Sequence, residues 1–117
     1  MDNLTVSIIL TTFNRKELLQ QTINSILAQT YIGFELIVVD NYSNYEFLSL
    51  MDSYNDERIR AFQNNNNGII AVNRNFGISM ARGKYVAFCD DDDVWCTKKL
   101  EKQVDYANEH PKTIVST

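Results

Sequence analysis

The chain has 117 residues, enough to bury one hydrophobic core, and its 44% hydrophobic and 22% charged content is typical of a globular domain. Its net charge of −4 argues against a nucleic-acid-binding protein, which would carry a basic surface. No apolar run reaches the ~20 residues of a membrane span, and no basic segment precedes the first apolar run, so we predict a cytoplasmic protein without a transmembrane segment. The cysteines and the single histidine have the spacing of neither a disulfide framework nor a zinc site.

The first half of the chain alternates between strand and helix patterns. Val6 to Leu10 is a continuous apolar run, as in a strand that is covered on both faces. A helical apolar spacing follows, with Asn14 as its predicted N-cap and Glu17 in the position of a capping box. Phe34 to Asp40 forms a second apolar strand, and a short amphipathic helix is predicted from Phe47 to Tyr54.

The second half continues the same alternation. The string ERIRAFQ, which begins at Glu57, predicts a weaker strand at the edge of the sheet. A helix is predicted from about Ile70 to Ala81, and the run KYVAFC from Lys84 predicts a fourth strand. A last helix is marked by apolar residues between Leu100 and Ala107. The chain stops on the apolar string TIVST at 113–117, a predicted fifth strand, so we expect an unfinished sheet and the first part of a longer polypeptide.

The order of these elements predicts an α/β fold, with a mostly parallel sheet and helices on both faces. In such sheets ligands bind beyond the carboxyl ends of the strands, where the winding reverses. With the strand order 3-2-1-4, the reversal lies between the first and fourth strands. The loops TTFNR, from Thr11 to Arg15, and DDDD, from Asp90 to Asp93, would then flank one crevice.

The four consecutive aspartates need a source of compensation for their charge. Two like charges ~4 Å apart repel by about 1 kcal/mol in water and about 4 kcal/mol near a protein surface. Carboxylate oxygens suit Mg²⁺ or Mn²⁺, and we predict Asp90 and Asp92 as the ligand pair, with Asp91 and Asp93 as supports. The alternative is a solvated acidic turn that caps the following helix, whose N-terminus favours negative charge.

Five strings together resemble one protein family: VSIILTTFNR, SILAQTY, FELIVVDNYS, NRNFGI and ARGKYVAFCDDDDVW. Their order and spacing are similar to those of inverting family 2 glycosyltransferases with the GT-A fold, from about Val6 to the end of the chain. The resemblance implies a Rossmann-like parallel sheet that is truncated after the fifth strand. It also implies that residues 1–117 form the N-terminal, nucleotide-sugar-binding part of a GT-A domain whose acceptor-binding half is absent.

The resemblance assigns the nucleotide base to the ends of the first two strands. Thr11, Thr12 and Phe13 would hold the base, although Phe13 could instead be a core residue that closes the strand end. The family's second strand usually ends in two acidic residues, the latter of which meets the base; here these positions are Asp40 and Asn41. The Asn41 oxygen can accept the N3–H of uracil or thymine, but its amide can also present the NH₂ group. The base stays open, and Asp40 could instead cap the strand end.

The resemblance assigns the diphosphate and the metal to the other side of the crevice. Arg74 lies in a string similar to the family's Ala-Arg-Asn-x-Gly, with Asn73 in place of alanine, and would pair with the diphosphate or an aspartate; the alternative is a surface charge. Asp90-x-Asp92 matches the Asp-x-Asp motif that coordinates Mn²⁺ or Mg²⁺ on the diphosphate. Asp90 and Asp91 are also expected to bind the nucleotide.

Three further residues receive structural interpretations. Arg15 is predicted as a solvated charge at the start of the first helix. Gly77 is predicted to allow close packing of its helix on the sheet. Trp95 matches a frequent aromatic of the family, but we expect its ring to pack under the following helix.

The implied reaction transfers a sugar from a nucleoside diphosphate (UDP-, dTDP- or GDP-sugar) to an acceptor hydroxyl with inversion, in bacterial surface-polysaccharide synthesis. The metal would act as a Lewis acid on the departing diphosphate. The general base is expected beyond residue 117, and a glycan or lipid-linked acceptor would bind through the missing part, so the fragment alone is expected to be inactive in transfer. The protein would be cytoplasmic, either free or peripheral at the inner face of the membrane.

Two other functions stay open. A non-catalytic nucleotide-sugar-binding module could use the same fold, because fold does not fix function. A metal-dependent nucleotidyl or phosphoryl transferase could also use aspartates, although the sequence has neither the P-loop nor the G-x-G-x-x-G string.

Overall fold

The computed structural model describes residues 4–109 and 115–116, which form a five-stranded sheet with helices on both faces. The elements are, in chain order, β1 Val6–Thr12, α1 Lys16–Leu27, β2 Phe34–Asp40, α2 Phe47–Ser53, β3 Ile59–Gln63, α3 Ile70–Met80, β4 Tyr85–Asp90, α4 Lys99–Glu109 and β5 Val115–Ser116. The strand order is β3-β2-β1-β4-β5, and every pairing is parallel. The predicted order 3-2-1-4 and the parallel α/β fold are therefore confirmed.

The sheet separates two hydrophobic cores of unequal size. The larger core packs α1, α2 and α4 against one face, where alternate strand residues such as Ile8 and Leu36 are fully buried. The smaller core packs α3 against the other face, around Ile9, Ile37 and Val39. Because β1 and β2 are covered on both faces, they are continuous apolar runs rather than alternating ones. Within the described ranges, no helix has the length and apolar character of a membrane span.

The predicted N-cap of α1 is wrong. Arg15 occupies the N-cap position without a side-chain cap bond, and Asn14 has a left-handed backbone with φ of 53°. The Asn14 side chain instead accepts a hydrogen bond from the backbone N–H of Asn44 at 2.8 Å, and its own N–H donates to Ser43 Oγ at 2.8 Å. Asn14 thus ties the loop after β1 to the loop after β2, because an asparagine tolerates the left-handed region that this turn requires.

A buried carboxylate joins the strands at the opposite end of the sheet. Glu35 is almost fully buried, and it accepts hydrogen bonds from Ser7 Oγ at 2.5 Å and from the backbone N–H of Arg82 at 2.7 Å. Arg60 Nη1 lies 2.9 Å from its second oxygen, and Arg82 Nη2 lies 3.3 Å from that same oxygen. Burial raises the pKa of Glu35, but these hydrogen bonds and the Arg60 charge outweigh it, so the pKa lies below its usual value.

The predicted close approach of α3 to the sheet at Gly77 is confirmed. A Cβ added at Gly77 would lie 2.5 Å from Cγ2 of Ile9 in β1. Real carbon atoms do not approach so closely, so any larger residue at this position would have to displace Ile9 or move the helix. The close approach also helps to fix the positions of Asn73 and Arg74 at the carboxyl end of the sheet, because both residues belong to α3.

We expect Gly77→Ala to destabilise the protein by about 1–2 kcal/mol. Overpacking against Ile9 costs about 1–3 kcal/mol, and the better helix propensity of alanine returns up to about 1 kcal/mol. Urea unfolding measures the difference, and Ser79→Ala on the exposed side of the same helix is the control, expected within about 0.5 kcal/mol. Equal or greater stability for Gly77→Ala would show that α3 can move off the sheet freely.

Candidate functional site

A cleft of about 560 Å³ lies at the carboxyl ends of β1, β2 and β4. The register places these ends side by side, because Thr12 pairs with Asp40 and Thr11 pairs with Asp90. The cleft is lined by Thr11, Thr12, Phe13, Arg15, Asn41, Asn66, Gly68, Ile70, Asn73, Arg74, Asp90, Asp91 and Asp92. Every predicted site residue except Asp40 therefore lies on this cleft.

The three aspartates of the cleft have different environments. Asp91 is 8% exposed, and Thr12 Oγ1 donates a hydrogen bond to its carboxylate at 3.0 Å. Burial raises the pKa of Asp91, against the lowering effects of that bond and of the Arg15 charge. The side chains of Asp90 and Asp92 are 65% and 52% exposed. Asp91 is thus held inside the turn, while its two neighbours are free to meet a ligand.

Two arginines face the acidic turn, one at the N-cap of α1 and one on α3. Nη1 of Arg15 lies 3.4 Å from Asp91 Oδ1 and 3.3 Å from Asp92 Oδ2. Nη2 of Arg74, on α3, lies 3.5 Å from Asp90 Oδ1. Arg15 is exposed at the start of α1, as the sequence interpretation predicted, but its guanidinium also bridges two of the aspartates, which the sequence did not predict. Long, exposed ion pairs of this kind contribute little stability, so these arginines can exchange their partners at low cost.

A polar stripe on α1 holds the acidic turn in place. Thr22, Ser25 and Gln29 are spaced three and four residues apart, which puts them on one side of the helix. Thr22 Oγ1 donates to the carbonyl oxygen of Asp91 at 3.0 Å, and Ser25 Oγ accepts the backbone N–H of Trp95 at 3.0 Å. Gln29 Nε2 donates to the carbonyl oxygen of Cys96 at 2.7 Å, and Gln29 Oε1 accepts the backbone N–H of Leu100, in the first turn of α4, at 2.9 Å. This stripe was not predicted; its signal in the sequence is polar residues at helical spacing among apolar ones.

Trp95 packs in the larger core, as predicted. Its side chain is almost fully buried with Leu100 and Val104 of α4. The ammonium of Lys99 lies 5.4 Å from the centre of the indole ring. Trp95 therefore anchors the chain between the acidic turn and α4 and does not line the cleft.

Asparagines form the wall of the cleft on the β2 side. The backbone N–H of Asn41 donates to the carbonyl oxygen of Thr12 at 3.1 Å, and its side-chain oxygen accepts the backbone N–H of Asn66 at 2.9 Å. The Asn64 amide donates to the buried Asn73 side chain at 2.9 Å, which joins the polar loop to α3. The sequence marked this loop only as a polar connection. Its role on the cleft depends on contacts between distant parts of the chain.

Phe13 is 49% exposed on the cleft. The alternative that it is a core residue closing the end of β1 is therefore wrong. An exposed aromatic ring at the mouth of a polar cleft offers a flat apolar surface on which a planar ligand can stack.

Asp40 does not line the cleft. It is fully buried, and its carboxylate accepts hydrogen bonds from the backbone N–H of Ser43 at 2.9 Å, from the Ser43 hydroxyl, and from Gln63 Nε2 at 3.2 Å. Because Asp40 is buried and off the cleft, this geometry does not provide the direct contact with a nucleotide that the resemblance implied. Asp40 instead has the alternative role, a cap that fixes the turn after β2 and so positions Asn41.

The acidic turn fits a divalent metal that takes only part of its ligands from the protein. Within residues 4–109, no three acidic, cysteine or histidine side chains are arranged to enclose an ion. Asp90 and Asp92 are hard oxygen donors exposed on the cleft. Mg²⁺ is commonly bound by one or two carboxylates, with substrate phosphate oxygens and waters completing the shell. The donor set suits such an ion and does not suit a metal held entirely by side chains.

A second cavity, of about 660 Å³, lies between α2 and β3. It is lined by Leu48, Met51, Asp52, Asn55, Asp56, Glu57, Ile59 and Ala61. Asp56 in this cavity is already paired with Arg58 at 2.8 Å. The cavity lies at the beginning of β3, and parallel sheets bind ligands at the carboxyl ends of their strands. The cleft on β1, β2 and β4 is therefore the candidate functional site.

Comparisons with known proteins agree with this fold. Residues 7–117 match the family model described as "Glycosyl transferase family 2". Over 101 residues the chain is 36% identical to an Escherichia coli protein named UDP-Glc:alpha-D-GlcNAc-diphosphoundecaprenol beta-1,3-glucosyltransferase WfaP, covering 86% of this chain and 40% of that protein. It is 37% identical over 106 residues to the putative teichuronic acid biosynthesis glycosyltransferase TuaG of Bacillus subtilis, covering 89% and 42%.

The fold is similar to that of a solved glycosyltransferase structure. The crystal structure of S. aureus TarS 1–349 in complex with UDP-GlcNAc matches with a TM-score of 0.83 and 27% identity, covering 91% of this chain and 32% of that one. The chain thus spans well under half the length of the proteins that it matches. The α/β fold predicted from the resemblance is confirmed, and the chain belongs to glycosyl transferase family 2.

Proposed function

We propose that this chain is the donor-binding part of a metal-dependent, inverting glycosyltransferase that uses a nucleoside diphosphate sugar. The observation that carries the proposal is the placement of exposed Asp90 and Asp92 on the same cleft as Phe13 and Asn41. The cleft offers carboxylates and arginines at the acidic turn, amides beside the end of β2, and the exposed aromatic ring of Phe13 after β1. A nucleoside diphosphate has the matching distribution, with its charge at one end and a planar base at the other.

In this proposal the diphosphate lies beside the acidic turn. Asp90 and Asp92 would hold Mn²⁺ or Mg²⁺, which supplies Lewis-acid stabilisation of the diphosphate leaving group. Arg15 and Arg74 now face the aspartates at 3.3–3.5 Å, and each is exposed enough to turn toward a phosphate. Guanidinium groups recognise phosphate oxygens well because their N–H groups form a planar fork. Asp91 stays on Thr12 and keeps the turn in shape.

The named relatives support a uridine donor and a surface-glycan setting. The E. coli relative is named for UDP-Glc and an acceptor linked to diphosphoundecaprenol, and the TarS complex contains UDP-GlcNAc. The B. subtilis relative is named for teichuronic acid biosynthesis. We therefore extend the proposal to a UDP-sugar as donor and to a glycan or lipid-linked acceptor. A lipid-linked acceptor would place the reaction at a membrane surface, so a peripheral position at the cytoplasmic face belongs to the proposal.

In the proposed function, none of these residues is the general base. Inversion requires a base that takes the proton of the acceptor hydroxyl. The carboxylates that line the cleft are Asp90, Asp91 and Asp92, and the proposal uses all three for the donor, the metal or the turn. We propose that the base and the acceptor site belong to a further part of the whole protein, and that this chain alone binds the donor without transferring its sugar.

Removal of the divalent ion tests the proposal. We expect UDP to bind in the presence of Mn²⁺ and to lose at least about tenfold in affinity in EDTA, because the diphosphate would then face the aspartates without a bridging cation. Isothermal titration calorimetry with UDP, dTDP and GDP measures the effect and ranks the bases. Uridine, which lacks phosphates, is the control and should be insensitive to the metal. Equal UDP affinity with and without Mn²⁺ would remove the metal from the proposal.

A further inference from the structure

The acidic turn is a reverse turn whose central residues are Asp91 and Asp92. The backbone N–H of Asp93 closes it by donating to the carbonyl oxygen of Asp90 at 3.2 Å. A reverse turn can hold its central peptide in either of two orientations, and the flipped one requires a left-handed backbone at the third residue. The backbone of Asp92 is outside the left-handed region, so this turn has the common orientation. Aspartate tolerates the left-handed region better than most residues, so backbone sterics hold the orientation only weakly.

Thr22 on α1 fixes the orientation of this central peptide. Its side chain is fully buried, and its Oγ1 donates to the carbonyl oxygen of Asp91 at 3.0 Å. A helical threonine or serine often donates to a carbonyl of its own helix one turn back, as Ser25 Oγ does to Thr22 at 2.7 Å. Thr22 donates to the turn instead. A flip of the peptide would take its acceptor away and leave the buried hydroxyl without a partner, which is unfavourable.

Thr22 can influence a ligand only through the turn. It does not line the cleft, and it contacts the backbone of Asp91. Thr12 holds the carboxylate of the same aspartate, whereas Thr22 holds its carbonyl, so only the bond from Thr22 acts on the peptide plane. The side chains of Asp90 and Asp92 are exposed, and packing does not fix them. The separation of these two carboxylates therefore depends on the backbone that joins them.

We propose that Thr22 is a positioning residue for the metal site, and that its hydroxyl keeps Asp90 and Asp92 at the separation at which both bind one divalent ion. The inference rests on the proposed function, which assigns the ion to these two carboxylates. A small ion such as Mg²⁺ demands near-ideal geometry. A turn that samples both peptide orientations would offer that geometry for only part of the time, and the affinity for the ion and its diphosphate would fall by the same fraction.

Removal of the Thr22 hydroxyl is the direct test. Thr22→Val keeps the size and branching of the side chain, Thr22→Ala leaves the site open, and Thr22→Ser keeps the donor. We expect Thr22→Val and Thr22→Ala to bind UDP in Mn²⁺ about tenfold more weakly, as for a turn that is competent about one tenth of the time. Thr22→Ser should stay within about threefold. Titration calorimetry measures UDP and uridine, and the uridine affinity of all three should stay within about twofold, because uridine has no phosphate for the ion.

Glu35→Gln is the control for a general loss of stability. Glu35 lies at the opposite end of the sheet, where it accepts hydrogen bonds from Ser7 and from the backbone of Arg82. The variant is therefore expected to be less stable without any contact to the turn. Its UDP affinity in Mn²⁺ should stay within about twofold of the unsubstituted protein. Urea unfolding of every variant measures the stability lost, which separates a positioning effect from a general loosening of the fold.

Each result decides the role of Thr22. About tenfold weaker UDP binding by Thr22→Val and Thr22→Ala, with uridine binding and Thr22→Ser unaffected, supports positioning. Unchanged UDP affinity, or equal losses for UDP and uridine, overturns it. Failure of both variants to fold also overturns it, because the hydroxyl would then serve the fold as a whole. If the unsubstituted protein binds UDP equally well in Mn²⁺ and in EDTA, the metal part of the proposed function fails, and no metal site remains for Thr22 to position.

Discussion

Asp92→Asn is expected to weaken UDP binding in Mn²⁺ by on the order of 100-fold. The substitution keeps the shape of the side chain and removes the negative charge of the carboxylate, which is a metal ligand in the proposed function. A lost charge-assisted contact costs up to about 3 kcal/mol, and each 1.4 kcal/mol is a factor of about ten in affinity. Titration calorimetry in Mn²⁺ and in EDTA measures the effect. In EDTA the variant should bind UDP no worse than the unsubstituted protein, because the repulsion between carboxylate and diphosphate is reduced.

The neighbouring Asp93 provides the matched control for this prediction. It belongs to the same turn and carries the same charge, but it does not line the cleft. Its backbone N–H donates to the carbonyl oxygen of Asp90 at 3.2 Å, a bond that Asp93→Asn retains. We expect this variant to bind UDP within about threefold of the unsubstituted protein. Equal losses for Asp92→Asn and Asp93→Asn would indicate that the turn acts through its summed charge and that no defined ligand position exists at Asp92.

The two arginines explain how the charge of the acidic turn is tolerated. Asp90 faces Arg74, and Asp91 and Asp92 share Arg15, so none of these three carboxylates relies on water alone for compensation. The pairs are exposed and longer than good ion pairs, and salt screens them. An ion held by Asp90 and Asp92 would release both guanidinium groups toward the diphosphate. The same aspartates and arginines can therefore compensate one another in the turn and, in the proposed function, bind the donor.

The parts of the fold that the sequence predicted are those set by local patterns. The continuous apolar runs at Val6–Leu10 and Phe34–Asp40 identify strands that are covered on both faces, and the structure confirms them with only small differences in their bounds. The alternation of strand and helix then permits few topologies, because crossover connections are right-handed. The meeting of the loops after β1 and β4 follows from that topology. A cleft with an acidic turn on one side could thus be expected before any side chain was placed.

The parts that the sequence could not predict depend on contacts between distant residues. Asn14 followed the local pattern of an N-cap, but its side chain reaches Asn44 in the next loop instead. Arg15 has no local partner, and only the fold brings it within 3.4 Å of Asp91. Asp40 has the residue type of a ligand, yet it is fully buried and accepts hydrogen bonds from the nearby Ser43 and from Gln63 of the neighbouring strand. In each case a hydrogen bond or ion pair with a residue on another element contributed to a role that the local pattern did not show.

Glu35→Ala is expected to destabilise the protein by about 3 kcal/mol, since removing one partner of a buried ion pair leaves the others without compensation. This value lies at the lower end of the usual range because Arg82 is mostly exposed and can turn to water. Ser7 and the backbone N–H of Arg82 cannot do so, and both lose their acceptor. Urea unfolding at neutral pH measures the change, with Glu57→Ala, an exposed position, as a control expected within about 0.5 kcal/mol.

The same carboxylate makes a defined contribution to acid stability. The pKa of Glu35 is lower in the folded protein than its ordinary value of 4.5, so the unfolded chain binds its proton more readily. The stabilisation is complete above that ordinary value and is lost as the pH falls through the lower, folded pKa. Glu35→Gln removes the titrating group, so the difference in unfolding free energy between it and the unsubstituted protein should narrow as the pH is lowered from 7 toward about 3. A difference that is constant over this range would mean that Glu35 holds Ser7 and Arg82 through its shape and hydrogen bonds alone, with no part for its charge.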